Sequence, residues 1–327
     1  MKKNRIPIAG SFLAAASMTL FLGGVARAQE SDGWMDSTLL KLKNTAFEFS
    51  RADSDIPFLP VLSLKHTEYG KNTFARPRGG NDSEIEFRSR NTTAYAMLPA
   101  YVGQKSLALI VPCISYTRFD FTEGSLKDRD VTGLNLLIGG AIQTSPGRQW
   151  GAFVMPSAYS PLTDKADWAG SGWAGVAGRS LHGERTVWYY GLVYDYAFSD
   201  GFFLPYLGFS YILDPCWAVS LVAPWPSINY APSDRLFFRL GVSPSGSSWT
   251  IDPKGDDSQV VGSLGAWDFG LWVETRVYKS IWFNVGAGYS GLKSFGFNTQ
   301  GDTEFDPSLK SEPFVSIAIN IRPGKGD

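Results

Sequence analysis

The sequence predicts an all-β fold: a transmembrane antiparallel up-and-down β-barrel of about 12 strands, with 14 as the alternative count. Segment after segment alternates apolar and polar residues with a period of two. Aromatic residues gather at the segment ends, and a secretion-type leader precedes them all.

The alternation is plainest from Trp267 to Tyr278. Trp267, Phe269, Leu271, Val273 and Val277 fall on one face, and Asp268, Gly270, Glu274 and Arg276 on the other. A strand sends successive side chains to opposite faces, so this segment carries an apolar wall and a charged wall back to back. Three further segments repeat the pattern. In 131–142, Leu134, Leu136, Ile138 and Ile142 oppose Gly133, Asn135, Gly139 and Ala141. In 281–293, Ile281, Phe283, Val285, Ala287 and Tyr289 oppose Asn284, Gly286, Gly288 and Ser290. In the last segment Val315, Ile317, Ile319 and Ile321 oppose Ser316, Ala318, Asn320 and Arg322. An Arg or Lys on the lipid face at the bilayer midplane costs about 2–4 kcal/mol, so the apolar face is expected outside. A soluble β-sandwich would show the same alternation, but it would not need the leader or so many Tyr and Trp.

The leader has the three parts of a cleavable signal. A basic head, Met1 to Arg5, is followed by an apolar stretch, Ile6 to Val25, and a small-residue end, Ala26-Arg27-Ala28. Residues 1–28 are therefore expected to be removed. Residues 29–83 read as a mixed N-terminal segment, periplasmic or supplying extra strands, with short strand signals at 46–50 and 59–66. The barrel is expected over 84–327.

Within it, strands are expected at 84–98, 105–122, 131–143, 149–160, 171–181 and 185–198. They continue at 202–213, 216–230, 234–250, 263–278, 281–297 and 313–322. Turn chemistry separates them: Ser145-Pro146-Gly147-Arg148, His182-Gly183-Glu184, Asp214-Pro215 and Lys279-Ser280 are examples. Counting hairpins through twelve strands sends 252–261 and 298–311 outside. It sends 123–130 and 161–167 to the periplasmic side, although turns there are usually the shorter ones.

Composition limits the function classes. Aromatic residues make up 14% of the chain, which suits interfacial girdles, and a net charge of −1 argues against nucleic acid as a partner. Cys113 and Cys216 are expected to stand unpaired. No cluster of His and Cys suits a metal, no Gly-rich loop suits a phosphate, and no cofactor is implied. Asp252, Asp256 and Asp257 read as a solvated acidic loop. Ser180 and His182, two apart, are the only candidate nucleophile–base pair. His182 before Gly183-Glu184 reads better as a turn residue, so an enzyme is not expected. The expected partners are outer-membrane lipid, the outer-membrane assembly machinery and small solutes.

Ten charges are expected on the lumen face: Glu86, Arg88, Arg90, Arg118, Asp120, Asp195, Arg239, Asp268, Glu274 and Arg276. They could form a constriction that selects solutes. With both signs so evenly mixed, a ladder of salt bridges stiffening the barrel is the favoured reading.

The stretch Gly201-Phe-Phe-Leu-Pro-Tyr206-Leu-Gly-Phe-Ser-Tyr211-Ile-Leu-Asp214-Pro-Cys-Trp-Ala-Val-Ser-Leu221 continues through Ala223-Pro-Trp-Pro-Ser-Ile-Asn-Tyr230 and Asp234-Arg-Leu236. It resembles the central hairpins of a family of uncharacterised bacterial outer-membrane β-barrel proteins. The resemblance covers this stretch well and the rest in outline. It implies a fold and an outer-membrane location, without a substrate. One departure is that Ile321-Arg322 runs into Pro323, whereas the last strand of many such barrels ends in an aromatic residue. The leading expectation is a narrow passive channel for small solutes. The alternatives are a closed structural or surface-interaction barrel and, last, a lipid-modifying enzyme.

Overall fold

The computed structural model describes residues 55–57, 59–75, 84–122, 129–160, 168–195, 202–251, 260–299, 302–305 and 309–322. The leader, the strand signal at 46–50, the acidic loop residues Asp252, Asp256 and Asp257, and Pro323 lie outside them.

The first half of the wall is built from β1 (Leu62–Ala75), β2 (Glu84–Ala96), β3 (Leu98–Val102), β4 (Ser106–Phe121), β5 (Arg129–Ser145), β6 (Arg148–Ser160), β7 (Ala169–His182) and β8 (Thr186–Asp195). The second half is β9 (Phe202–Asp214), β10 (Trp217–Ala223), β11 (Ser227–Ser233), β12 (Leu236–Ile251), β13 (Val260–Tyr278), β14 (Ile281–Thr299), the short β15 (Asp302–Phe305) and β16 (Glu312–Ile321). Each strand pairs antiparallel with its neighbours. β2 and β3 form one edge against β4, and β15 only extends the β14 hairpin. β1 pairs with both β2 and β16, and β16 with β14, so the ring closes at fourteen strands and leaves no free edge.

The alternative count is therefore the correct one, and two strands complete it. One is β1, which realises the strand signal at 59–66 and starts the barrel at Leu62 rather than at 84. The other lies inside the expected strand 216–230. That segment is a hairpin, β10 and β11, reversing at Pro224-Trp225-Pro226. Pro has no N–H to give a ladder, so two of them within three residues end one strand before the next begins.

This reversal shifts the parity of everything before it. The connections at 103–105, 146–147, 183–185, 215–216, 234–235 and 279–280 all lie on one rim, and the strand ends that flank every longer connection lie on the other, together with the reversal at 224–226. The strand ends that flank 123–128 and 161–167 thus share a rim with those that flank 252–259, which corrects the periplasmic side expected for 123–130 and 161–167. Short turns on one rim and long loops on the other identify the turn rim as periplasmic and the loop rim as external. Gly147 and Gly183 sit at φ +72° and +66°, a left-handed conformation that glycine adopts without strain in such tight turns.

The outer wall is apolar and exposed. Leu134, Leu136, Ile138 and Ile142 on β5 project outward, as do Val315, Ile317 and Ile319 on β16. Exposed aromatics flank this belt. Trp150, Trp188, Trp217 and Tyr278 lie toward the turn rim, and Trp168 and Phe203 toward the loop rim. Trp217 stacks on Tyr230 with ring centroids 4.1 Å apart. Such a surface is stable against acyl chains, not water.

The lumen is filled at both ends by side chains. Toward the turn rim, Ile56 packs with Ile212, Ala218, Ala231, Phe237 and Trp282. Its neighbour Asp55 donates its backbone N–H to Pro215 O at 2.6 Å. β9 stands seven strands from β1 in either direction around the ring, so Asp55 and Ile56 sit across the mouth from the start of β1. Toward the loop rim, Phe87, Phe119 and Val131 pack against Leu264 and Leu309. β12 also comes within 8 Å, Cα to Cα, of β5, β6 and β7 across the lumen.

Candidate functional site: the lumen wall of β1, β12, β13, β14 and β16

The inward face of β13 organises this wall in tiers. Nearest the turn rim, Glu274 is 1% exposed and accepts four hydrogen bonds. Arg322 donates from Nε at 2.7 Å and from Nη2 at 2.8 Å, a two-pronged pair. Asn320 Nδ2 donates at 2.9 Å and Asn284 Nδ2 at 3.3 Å. Ser63 Oγ in turn donates to Asn320 Oδ1 at 2.7 Å. A buried carboxylate needs this degree of saturation, because an unpaired charge there is several kcal/mol unfavourable. Below it, Arg276 pairs with Asp234 in the β11–β12 turn.

The next tier is aromatic. Trp272, Phe314 and Tyr69 form a chain, with centroids 6.0 Å and 6.1 Å apart. Glycine makes room for it. A Cβ at Gly286 would stand 2.2 Å from Trp272 Cδ1, and one at Gly270 would stand 2.7 Å from Phe314 Cζ. The Gly-rich lumen face is thus a seat for inward rings rather than an open bore. Lys65 Nζ and Arg239 Cζ lie 5.9 Å and 5.6 Å from the Trp272 ring centroid, in cation–π range.

The tier toward the loop rim is again polar. Asp268 accepts from Tyr69 Oη at 2.9 Å and from Ser245 Oγ at 2.8 Å. Lys293 and Glu312 form a buried ion pair. Asp195 is buried on β8, on the opposite side of the ring.

Of the ten charges expected inside, Asp195, Arg239, Asp268, Glu274 and Arg276 are on the inward face. Glu86, Arg88, Arg90, Arg118 and Asp120 are not. Phe87, Ser89, Thr117 and Phe119 are buried on β2 and β4 and alternate with these charges, so the charges point outward. The cause is that β2 and β4 run past the apolar belt toward the loop rim. Beyond the lipid the outer face is wet, so charges are stable outside and the aromatic rings turn in.

Lys293 and Glu312 were missed for local reasons. β14 bulges at Gly291-Leu292, where Leu292 has φ 48°, and this carries Lys293 to the inward face against simple alternation. Glu312 lies one residue ahead of the expected last strand. Arg322 is on the polar face that alternation assigns to the last segment, with Asn320, although it is not among the ten charges expected in the lumen. Ser180 and His182 lie at the turn rim on the outward face of β7. Among the described residues no carboxylate bonds to His182. Cys113, on the inward face of β4, and Cys216, in the β9–β10 turn, are unpaired.

A closed fourteen-stranded ring with an exposed apolar belt, aromatic girdles and rims of unequal loop length defines a transmembrane β-barrel of the bacterial outer membrane. No protein-family profile matches the chain, and no curated protein matches its sequence. Among solved structures it is similar to a Pseudomonas aeruginosa FadL homologue at 10% identity, covering 80% of this chain and 89% of that one, with a TM-score of 0.46. It is also similar to an outer membrane channel from Pseudomonas putida F1 at 9% identity, 81% and 98% coverage and a TM-score of 0.41. The translocator domain of autotransporter NalP from Neisseria meningitidis follows at 10% identity, 91% and 98% coverage and a TM-score of 0.34. Likeness at this level says nothing about cargo.

Proposed function

We propose that the protein is a passive outer-membrane channel whose lumen favours small solutes with apolar or aromatic surface over ions. The observation that carries this reading is the tiered wall. Its charges neutralise one another in Glu274–Arg322 and Lys293–Glu312, and between them stands the layer of Trp272, Phe314 and Tyr69. A water-filled porin presents a polar interior, whereas this wall holds a layer of packed aromatic rings between its polar tiers. Neutral pairs give no dominant sign to attract an ion. No step of this reading requires an enzyme or a cofactor.

The test has two arms. In planar bilayers the folded chain is expected to give ion conductance near background. In cells with an intact outer membrane, its expression is expected to raise the entry rate of a labelled small aromatic alcohol but not of a sugar of similar size. Large, stable ionic steps would show an aqueous pore instead. Equal entry with and without the protein would remove the channel reading.

A second reading is a closed barrel that acts through its loop rim. It is favoured by the approach of β12 to β5, β6 and β7 and by the packing of Ile56 and Leu309 at the two mouths. The variant Ile56→Asp separates the two, because it places a charge in the turn-side cluster and loosens the hold on Asp55 and its neighbour. A channel gains solute entry or conductance, and a closed barrel stays silent.

A further inference from the structure

β12 and β13 do not stay in the wall over their whole length. The last bond between β12 and the β10–β11 hairpin runs from Val242 N–H to Pro226 O at 3.1 Å, and β12 continues beyond it to Ile251. A ring of fourteen strands is wider than inward side chains can fill, so opposite walls do not meet by themselves. Yet β12 comes within 8 Å, Cα to Cα, of β5, β6 and β7 on the far side of the ring. Leu264 of β13 packs in one cluster with Phe87 of β2, Phe119 of β4 and Val131 of β5. The upper part of the β12–β13 hairpin therefore folds inward across the external mouth.

The bend follows a line across three strands. Gly246 on β12 is opposite Gly265 on β13. One step on, Ala266 of β13 meets the bulge of β14, where Leu292 and Lys293 stand against a single residue. Each strand leaves regular geometry at this level. Gly246 has φ +155°, and a Cβ there would stand 2.3 Å from Leu264 O, so glycine alone lets the two backbones approach. Leu292 has φ 48°, a conformation that a bulky residue rarely adopts. Next to it, Ser290 is 1% exposed, and its Oγ has no hydrogen-bond partner among the described residues. A left-handed leucine and an orphaned hydroxyl both burden the folded-in form. Movement at this line relieves the first, and water admitted by it satisfies the second.

Two latches oppose that movement. Leu264 is held by the Phe87, Phe119 and Val131 side chains. Lys293, at the root of the bend, makes its buried ion pair with Glu312 of β16. Both join the inward-folded part to strands that remain in the wall. We propose that β12, β13 and β14 beyond Gly246, Gly265 and Leu292 form a hinged flap that opens and closes the external mouth. Its part in transport rests on the channel reading, which it deepens by naming the element that admits a solute.

The test is thiol labelling of the full folded chain in micelles, in a background of Cys113→Ser and Cys216→Ser. Val131→Cys places one thiol beneath the flap, at a position 1% exposed. With both latches intact, a water-soluble maleimide is expected to react slowly. Leu264→Ala is expected to raise the rate at least about tenfold. Lys293→Met with Glu312→Gln removes both charges of the other latch together, and a rise of at least about threefold is expected. The rate reports the flap whether or not a solute passes. A flap that opens without solute entry would therefore remove the channel reading alone, and solute entry with an unchanged rate in both variants would remove the flap alone. A rate that rises only as the folded, heat-modifiable form is lost would also overturn the proposal, because the whole barrel would then be opening.

Discussion

Two charged clusters in this barrel use the same residue types and obey opposite rules. Glu274 and Arg322 lie inside the wall, nearly without solvent, and every oxygen of the carboxylate is bonded. Arg90, Asp120 and Arg118 lie outside, with 48%, 29% and 29% of their side chains exposed. In the first cluster geometry does nearly all the work, because neither charge tolerates the loss of its partner. In the second, water carries much of the cost, and each pair contributes at most about 1 kcal/mol. The lesson is that medium, more than residue type, sets the worth of a charge.

The largest effect that would break this comparison is at Glu274. Glu274→Ala strands Arg322 in the wall and is expected to cost about 3–5 kcal/mol. Asp120→Ala, the matching deletion outside, is expected to cost no more than about 1 kcal/mol. Urea unfolding of micelle-bound protein, followed by Trp fluorescence, measures both. Comparable losses would mean that the outer cluster is as dry as the inner one. Replacing both inner partners, Glu274→Met with Arg322→Leu, sharpens the point. It removes both charges at once and is expected to restore most of the lost stability.

A second contrast lies on a single strand. β4 carries Ile110 and Arg118 on the same outward face, eight residues apart. Ile110→Arg places the Arg118 chemistry within the belt and is expected to cost about 2–4 kcal/mol. Folding yields into vesicles of increasing acyl length check it, and an indifferent variant would move the belt away from Ile110.

Much of this was legible in the sequence, and the failures have physical causes. The inward and outward sets of β5, β13 and β16, and of β14 as far as Ser290, follow directly from alternation, because those stretches are regular and bounded by lipid. The count of twelve failed at Pro224-Trp225-Pro226, where a turn carries no Gly or Asn and both flanks are apolar. That one reversal also explains the misplaced loops at 123–130 and 161–167. The five charges on β2 and β4 were sent inside because charge was assumed to avoid the outer face along the whole strand. Alternation alone, taken with Phe87 and Phe119 as inward residues, would have placed them correctly. Lys293 was hidden by the bulge at Leu292, which no periodicity reveals.

A smaller effect tests the aromatic tier that separates the two polar ones. A Cβ at Gly286 would overlap the Trp272 ring and stand 2.6 Å from Ser316 Oγ. Gly286→Ala therefore forces the ring off its seat and is expected to cost about 1–3 kcal/mol by overpacking. Gly170, whose added Cβ meets nothing within 4 Å, is the control, and Gly170→Ala is expected to be close to neutral. Beyond stability, a displaced Trp272 would loosen the cation–π contacts from Lys65 and Arg239 and change the indole emission. If Gly286→Ala leaves emission and stability both unchanged, the ring does not rest on this glycine. The lumen would then have more room than the tiered wall implies, and the contrast between a close-packed inner wall and a wet exterior would have to be softened on the interior side.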